Sequence, residues 1–186
     1  LIQEGDKIAV CISGGGTDLQ SVIDACERGE INGAIKLVIS NRKNAYGLTR
    51  ARNHGIKAEV IRDEDAILER FAQEKIDLIV LAGYLAIVGE KTIQTYRNRI
   101  INIHPSLIPS FCGPGMYGMH VHNAVYKRGV RYSGCTVHFV TEDVDAGPII
   151  LQQAVDIYDV KSPEEIQERV LEEEHKILPK AVQLFC

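Results

Sequence analysis

Lys7-Ile8-Ala9-Val10-Cys11-Ile12-Ser13 is an apolar run, and Gly14-Gly15-Gly16-Thr17-Asp18 follows it directly. A short apolar run closed by a glycine turn and continued by a helix-period segment reads as a buried strand feeding a helix. The same alternation repeats outward to the far end of the chain. Apolar runs lie at Lys7–Ser13, Ile35–Ser40, Ala58–Ile61, Leu78–Ala82, Ile100–His104, Cys135–Val140 and Ile149–Ala154. Helix-period segments lie at Asp18–Glu27, Gly47–His54, Glu64–Glu74, Glu90–Tyr96, His122–Arg128 and Pro163–Leu178. This pattern predicts an α/β fold, a single three-layer domain with a mostly parallel twisted sheet of about seven strands and helices on both faces. Ser162-Pro163-Glu164-Glu165 is a clear helix start: a capping serine, a proline in the first turn, then acids set against the macrodipole.

No repeat, low-complexity tract or linker interrupts the chain, so residues 1–186 read as one domain, long enough to bury a real core. The formal charge of −4 argues against a surface that coats nucleic acid. The small basic groups (Arg42-Lys43, Arg50 and Arg52, Arg97 and Arg99, Lys127-Arg128) read as solvated faces, one of which could meet a small anion. Cys11, Cys26, Cys112, Cys135 and Cys186 are scattered and odd in number, without a Cys-x-x-Cys pair; most read as buried thiols in a reducing cytoplasm. No apolar run approaches membrane-spanning length and no signal peptide precedes the first strand. The chain opens on Leu1 and stops at Cys186, which leaves both ends open to further residues.

Arg99-Ile100-Ile101-Asn102-Ile103-His104-Pro105-Ser106 carries the chemistry. On a strand, Asn102 and His104 project to one side while Ile101 and Ile103 project to the other, and Pro105 ends the ladder. An amide and an imidazole at a strand terminus can stabilise a developing oxyanion and move a proton. The bland alternative is a strand-end pair that hydrogen-bonds a neighbouring loop. Pro105 to Gly118 is irregular and rich in glycine and proline, and is expected to form one wall of the site.

Three glycines after the first strand can turn backbone amides toward an anion at a helix N-terminus. The spacing is neither a dinucleotide fingerprint nor a Walker loop, so a single phosphate group fits better. The alternative is a plain turn in which Thr17 or Asp18 merely caps the helix. Asp143-Val144-Asp145-Ala146-Gly147-Pro148 follows the strand that contains His138; it could return a carboxylate over the Asn/His pair, keeping the imidazole protonated, or be an ordinary surface turn. His120-Val121-His122 would share one face of a strand, but no third ligand stands at a convincing spacing, so no metal is expected. Gly-x-Ser-x-Gly is absent, and nothing near Cys112 marks it as a nucleophile.

Ile12-Ser13-Gly14-Gly15-Gly16-Thr17-Asp18-Leu19-Gln20, Ser40-Asn41, Leu81-Ala82-Gly83-Tyr84 and Asn102-Ile103-His104-Pro105-Ser106-Leu107-Ile108-Pro109 form one ordered set with three later segments. Those are Thr136-Val137-His138-Phe139-Val140, Asp145-Ala146-Gly147-Pro148-Ile149-Ile150-Leu151-Gln152 and Glu174-His175. Together they resemble the folate-dependent formyltransferase family over essentially the whole chain, and the glycine start resembles its glycinamide ribonucleotide branch. The resemblance implies a formyltransferase fold with a Rossmann-like N-terminal half. Residues about 7–104 would bind the nucleotide phosphate, and about 105–186 would complete the folate site.

It also implies formyl transfer from 10-formyltetrahydrofolate, a cosubstrate, to the amine of N1-(5-phosphoribosyl)glycinamide in purine (IMP) synthesis, with no metal. Asn102, His104 and Asp145 would be catalytic. Gly15, Gly16, Thr17 and Asp18 would seat the phosphate, and Pro109, Leu171, Glu172, Glu173 and Glu174 would complete the acceptor site. The folate would meet Leu85, Ala86, Ile87, Val88, Asn102, Thr141, Glu142, Asp143, Val144 and Asp145, with Arg62 toward its tail. The resemblance implies a cytoplasmic monomer or weak homodimer without nucleic-acid or membrane partners.

The chain departs from the family pattern in three places. Asp18 stands where an Asn is frequent and would repel phosphate unless it turns away to cap the helix. The Pro105–His122 loop is longer than the common version. Ala86 stands where an Arg is frequent. A formyltetrahydrofolate hydrolase and a catalytically silent nucleotide-binding module are the rival readings; a methionyl-tRNA formyltransferase would need an added basic RNA-binding domain.

Overall fold

The computed structural model describes residues 5–186; residues 1–4 of the expected domain lie outside the described residues. The elements run β1 (Asp6–Ile12), α1 (Thr17–Glu27), β2 (Gly33–Ser40), α2 (Tyr46–Asn53), β3 (Lys57–Val60), α3 (Glu64–Gln73), β4 (Leu78–Leu81), α4 (Glu90–Thr95), β5 (Ile100–His104), α5 (Met119–Arg128), β6 (Tyr132–Phe139), β7 (Ile149–Asp156) and α6 (Pro163–Phe185). One seven-stranded sheet has the order β3-β2-β1-β4-β5-β6-β7. β3 through β5 are parallel, whereas β6 is antiparallel to β5 and β7 to β6.

Side-chain alternation divides the core in two. Ile8, Val10, Ile12, Val38, Val80, Ile101 and Ile103 face Leu19 and Val22 of α1, Leu48 of α2, Val121 and Val125 of α5, and Val170, Leu178 and Val182 of α6. Ala9, Cys11, Leu37, Ile39, Ile79, Leu81 and Ile100 face Phe71 of α3 and Ile93 of α4. Because helices cover both faces of the parallel strands, the sequence shows continuous apolar runs rather than half-polar alternation.

Most boundaries lie within a few residues of the sequence expectation, and three differences have physical causes. β6 begins at Tyr132 rather than Cys135, since Tyr132, Ser133 and Gly134 extend the ladder to Asp156, Val155 and Ala154. α5 begins at Met119, so His120 and His122 lie on a helix, where side chains two apart do not share a face. α6 continues through Pro179 to Phe185 instead of stopping at Leu178. An interior proline costs about 3 kcal/mol, and full burial of an aliphatic side chain returns roughly 1.5–3 kcal/mol. Leu178 and Val182, both fully buried, bracket Pro179 and outweigh that cost.

The strand order reverses between β1 and β4, which places a crevice at their carboxyl ends, where α/β sheets bind ligands. The glycine turn leaves β1 there and the 82–89 loop leaves β4. Ser13 joins them: its buried hydroxyl donates to Asn41 Oδ1 (2.5 Å) and accepts from the Leu85 amide (2.8 Å).

Candidate active site

Asn102 and His104 continue the Ile100 row on the α3/α4 face of β5, beyond the helices that cover it. Directly across the antiparallel pair, His138 opposes Asn102 and Thr136 opposes His104. Asn102 Nδ2 lies 3.1 Å from His138 Nε2. The other ring nitrogen, His138 Nδ1, lies 2.9 Å from the Phe139 carbonyl, which can only accept. Nδ1 therefore carries the proton and Nε2 accepts from the Asn102 amide, an assignment made from the network. The same reasoning fixes His104, whose Nε2 donates to the Phe111 carbonyl at 2.8 Å. Its Nδ1 faces Asp145 Oδ2 at 3.6 Å.

Asp145 reaches these rings from the β6–β7 loop, on left-handed backbone (φ 55) that Asp tolerates better than most residues. Its Oδ2 accepts the Gly113 amide at 3.0 Å, and its Oδ1 lies 3.7 Å from His138 Nε2. Burial raises the carboxyl, but His138, the Gly113 amide and the His104 ring overcome it, so Asp145 is held below the usual carboxylate range. For His104 the balance runs the other way. Burial lowers it by more than the Phe111 carbonyl and the Asp145 carboxylate raise it. The sequence expectation of an imidazole kept protonated by its acid is thereby corrected: in the free protein burial wins. Behind His104 sits His122, 2% exposed, with an unpartnered Nδ1. Burial first, then the His104 charge, lowers it to about 4.

The glycine turn has its carbonyls occupied. Gly14 O accepts from the Gly47 amide (3.0 Å), Gly15 O from Arg50 Nε (2.7 Å) and Gly16 O from the Gln20 amide (2.9 Å). Among the described residues, no hydrogen bond uses the amides of Gly15, Gly16 or Thr17. Gly16 is required by the fold, with φ 75 and Gly47 Cα only 2.6 Å from any added Cβ. Gly14 and Gly15 are not: an added Cβ would meet nothing within 4 Å. Open room above free amides at a helix N-terminus suits an anion.

Asp18 does not cap α1, whose N-cap Gly16 has no side-chain bond. The carboxylate turns instead toward Glu174 and His175 of α6. His175 Nε2 is 3.4 Å from Asp18 Oδ1, too poorly aligned for a hydrogen bond, and both atoms lack one. Glu174 is 5% exposed. Burial raises both acids, and the Asp18 charge raises Glu174 further, so the pair keeps a proton that two exposed carboxylates would lose. Arg50 and His175 also reach this corner, although the sequence marks Arg50 only as one of the basic groups that could meet an anion and His175 only as part of the Glu174-His175 segment.

The other expected contacts scatter. Leu171 is half-buried, Glu172 faces solvent, and Glu173 pairs with Lys176 at 3.0 Å, so of that quartet only Glu174 meets the turn. Leu85, Ile87 and Val144 form exposed apolar lips, with Ala86 and Val88 half-buried between them. Thr141 bonds the Asp143 carbonyl, Asp143 is exposed, and Glu142 pairs with Arg97. Pro109 is exposed on the loop beyond β5. Arg62 is exposed beyond edge strand β3; four strand spacings, about 19 Å, separate β3 from β5. Arg62 is therefore not gathered into the reaction centre. Burial, then the Asp145 charge, raises Cys112, the reverse of nucleophile activation.

Residues 6–182 match the formyl transferase family. The chain is 42% identical to a phosphoribosylglycinamide formyltransferase of Haemophilus influenzae, over 96% of its own length and 86% of that protein's. It is 38% identical to a chloroplastic phosphoribosylglycinamide formyltransferase of Arabidopsis thaliana, covering 97% of itself but only 65%, under two thirds, of that relative. A crystal structure of glycinamide ribonucleotide transformylase 1 from Symbiobacterium toebii superposes with a TM-score of 0.91 at 42% identity, covering 98% of this chain and 88% of that one.

Proposed function

The chain belongs to the formyl transferase family, and on that premise we propose that it moves a formyl group from 10-formyltetrahydrofolate to the primary amine of N1-(5-phosphoribosyl)glycinamide, serving purine (IMP) synthesis. The observation that carries this reading is the gathering of Asn102, His138, Asp145 and His104 at the carboxyl end of β5, two strands from the glycine turn that follows β1. The N-terminal half, about 7–104, seats the ribonucleotide phosphate on the amides of Gly15, Gly16 and Thr17, with Glu174 at the neighbouring α6. The C-terminal part, about 105–186, completes the folate site, whose pterin lies between the 85–88 and 141–145 segments.

The amine nitrogen attacks the formyl carbon, a C–N bond forms and the carbonyl electrons move onto oxygen. Asn102 offers that oxygen the N–H not spent on His138, a contribution worth roughly 3–4 kcal/mol where such donors have been removed elsewhere. His104 presents Nδ1. Negative charge arriving beside the ring raises its proton affinity and reverses the effect of burial, so the imidazolium is stabilised mainly in the transition state. The amine's proton passes through solvent to His104 Nδ1, and Asp145, which stays ionised, accepts the new N–H. His104 then protonates the folate nitrogen as its bond to the formyl carbon breaks.

The proposed active form is a monomer or weak homodimer, without nucleic-acid or membrane partners. No described helix is long and apolar enough to cross a membrane. The five cysteines are free, in keeping with a reducing cytoplasm. The test is to incubate pure protein with 10-formyltetrahydrofolate, with and without the ribonucleotide. Amine-dependent tetrahydrofolate release is expected. Release without the amine would favour the hydrolase, and no release would favour a binding module.

A further inference from the structure

The irregular loop between β5 and α5 touches both members of the acid–base pair. Its Phe111 carbonyl accepts His104 Nε2 at 2.8 Å, and two residues later its Gly113 amide donates to Asp145 Oδ2 at 3.0 Å. We propose that the Phe111–Gly113 backbone is a clamp that fixes which nitrogen of His104 faces Asp145, and that Ser106 is the positioning residue that sets the clamp. The inference rests on the proposed transfer only for the role of His104 in turnover.

Phe111 (φ 50) holds left-handed backbone, which a non-glycine residue keeps only with local support, whereas Gly113 (φ 95) adopts it freely. Ser106 gives that support. It is fully buried, and its hydroxyl lies 2.6 Å from the Ser110 carbonyl and 3.2 Å from the Phe111 carbonyl. Its own carbonyl accepts from Thr136 Oγ1 at 2.7 Å, and Thr136 is the β6 residue opposite His104. The contacts close a ring from His104 through Phe111, Ser106 and Thr136 back to the strand pair that carries His104. A backbone carbonyl can only accept, so it demands a proton on Nε2 and leaves Nδ1 as the variable nitrogen. Without the clamp the two neutral tautomers would compete.

The test is nitrogen-15 NMR of labelled histidines in wild type, Ser106→Ala and Gly113→Ala, read with steady-state kinetics. Gly113→Ala isolates the backbone effect, since an added Cβ would meet nothing within 4 Å. Wild-type His104 should show the Nε2–H tautomer. Both variants should mix tautomers and lower the His104 titration midpoint, because the Phe111 carbonyl raises it. kcat should fall about tenfold in each, the size expected for one lost hydrogen bond, while both KM values stay within about twofold. An unchanged tautomer and midpoint in Gly113→Ala would overturn the clamp, whether or not Ser106→Ala folds. Absence of amine-dependent turnover in wild type would instead overturn the proposed function, with NMR still deciding the clamp.

Discussion

Asn102 and His138 oppose each other across β5 and β6, amide Nδ2 to imidazole Nε2 at 3.1 Å, and His138 thereby fixes the rotamer of the amide. Removing the ring leaves the amide free to turn over and aim its oxygen at the formyl oxygen. His138→Ala is expected to lower kcat roughly tenfold or more while ribonucleotide binding stays intact, the scale of a lost orienting hydrogen bond. Unchanged steady-state kinetics would show that Asn102 is held by something else.

His104→Ala and Asp145→Asn should each reduce kcat by about 10²–10⁴-fold, the range for positioned acid–base groups. Asn tolerates left-handed backbone, so the second change removes charge without forcing φ 55 to move. Calorimetric ribonucleotide binding should stay within a fewfold of wild type. Parallel losses of binding and turnover would make these residues structural.

The Asp18–Glu174 pair should make acceptor binding depend on pH. With one proton retained, the pair presents a single negative charge near the glycine turn; as pH rises and the proton leaves, a second charge faces the phosphate. Glu173 and His175 on α6 and Cys135 on β6 are the other titratable groups nearby. Wild-type KM for the ribonucleotide should therefore climb with pH, whereas Asp18→Asn should give a lower and flatter curve. A raised KM in Asp18→Asn would mean that Asp18 makes a favourable contact.

His122 supplies a stability signature. Its folded value of about 4 lies below the ordinary 6.5, so between those values the unfolded chain binds the proton and the folded chain does not. Stability from this group is intact above about pH 6.5 and falls as pH drops toward 4. At about 1.4 kcal/mol per pH unit the loss is roughly 3 kcal/mol. Denaturant unfolding of wild type and His122→Asn across this window should differ in slope accordingly; equal slopes would place the titration elsewhere.

Ser162 accepts the Glu165 amide at 3.2 Å and caps the helix that carries Glu174. Ser162→Ala should cost about 1 kcal/mol in denaturant unfolding, with kcat unaffected. A loss in kcat would show that the cap also sets the aim of Glu174.

Local pattern made much of this legible. β5 was read at both ends because an apolar run flanked by Arg99 and Pro105 has unmistakable limits, and period-two alternation put Asn102 and His104 on one face. α6 was cut short because Pro179 is a local stop signal, whereas the burial of Leu178 and Val182 that overrides it is tertiary. The place of His138 followed from β6 register, which the sequence did not specify, although its period-two spacing from Thr136 was available as a signal. Arg50 and His175 reach the turn only through the packing of α2 and α6 around α1. The direction of the His104 shift also lay outside pattern reading, since a neighbouring acid can be inferred from spacing and the degree of desolvation cannot.

Pro179 carries an implication for the stability of α6. With no N–H at that position, the His175 carbonyl has no helical donor four residues on, so one rung is missing immediately after Glu174. The helix still runs unbroken past the gap, because Ile177, Leu178 and Val182 share one buried cluster with Leu19 and Val22 of α1. Core substitutions there are expected to shift unfolding free energy, and replacing Pro179 to restore the missing rung is the natural way to stabilise that end of the helix.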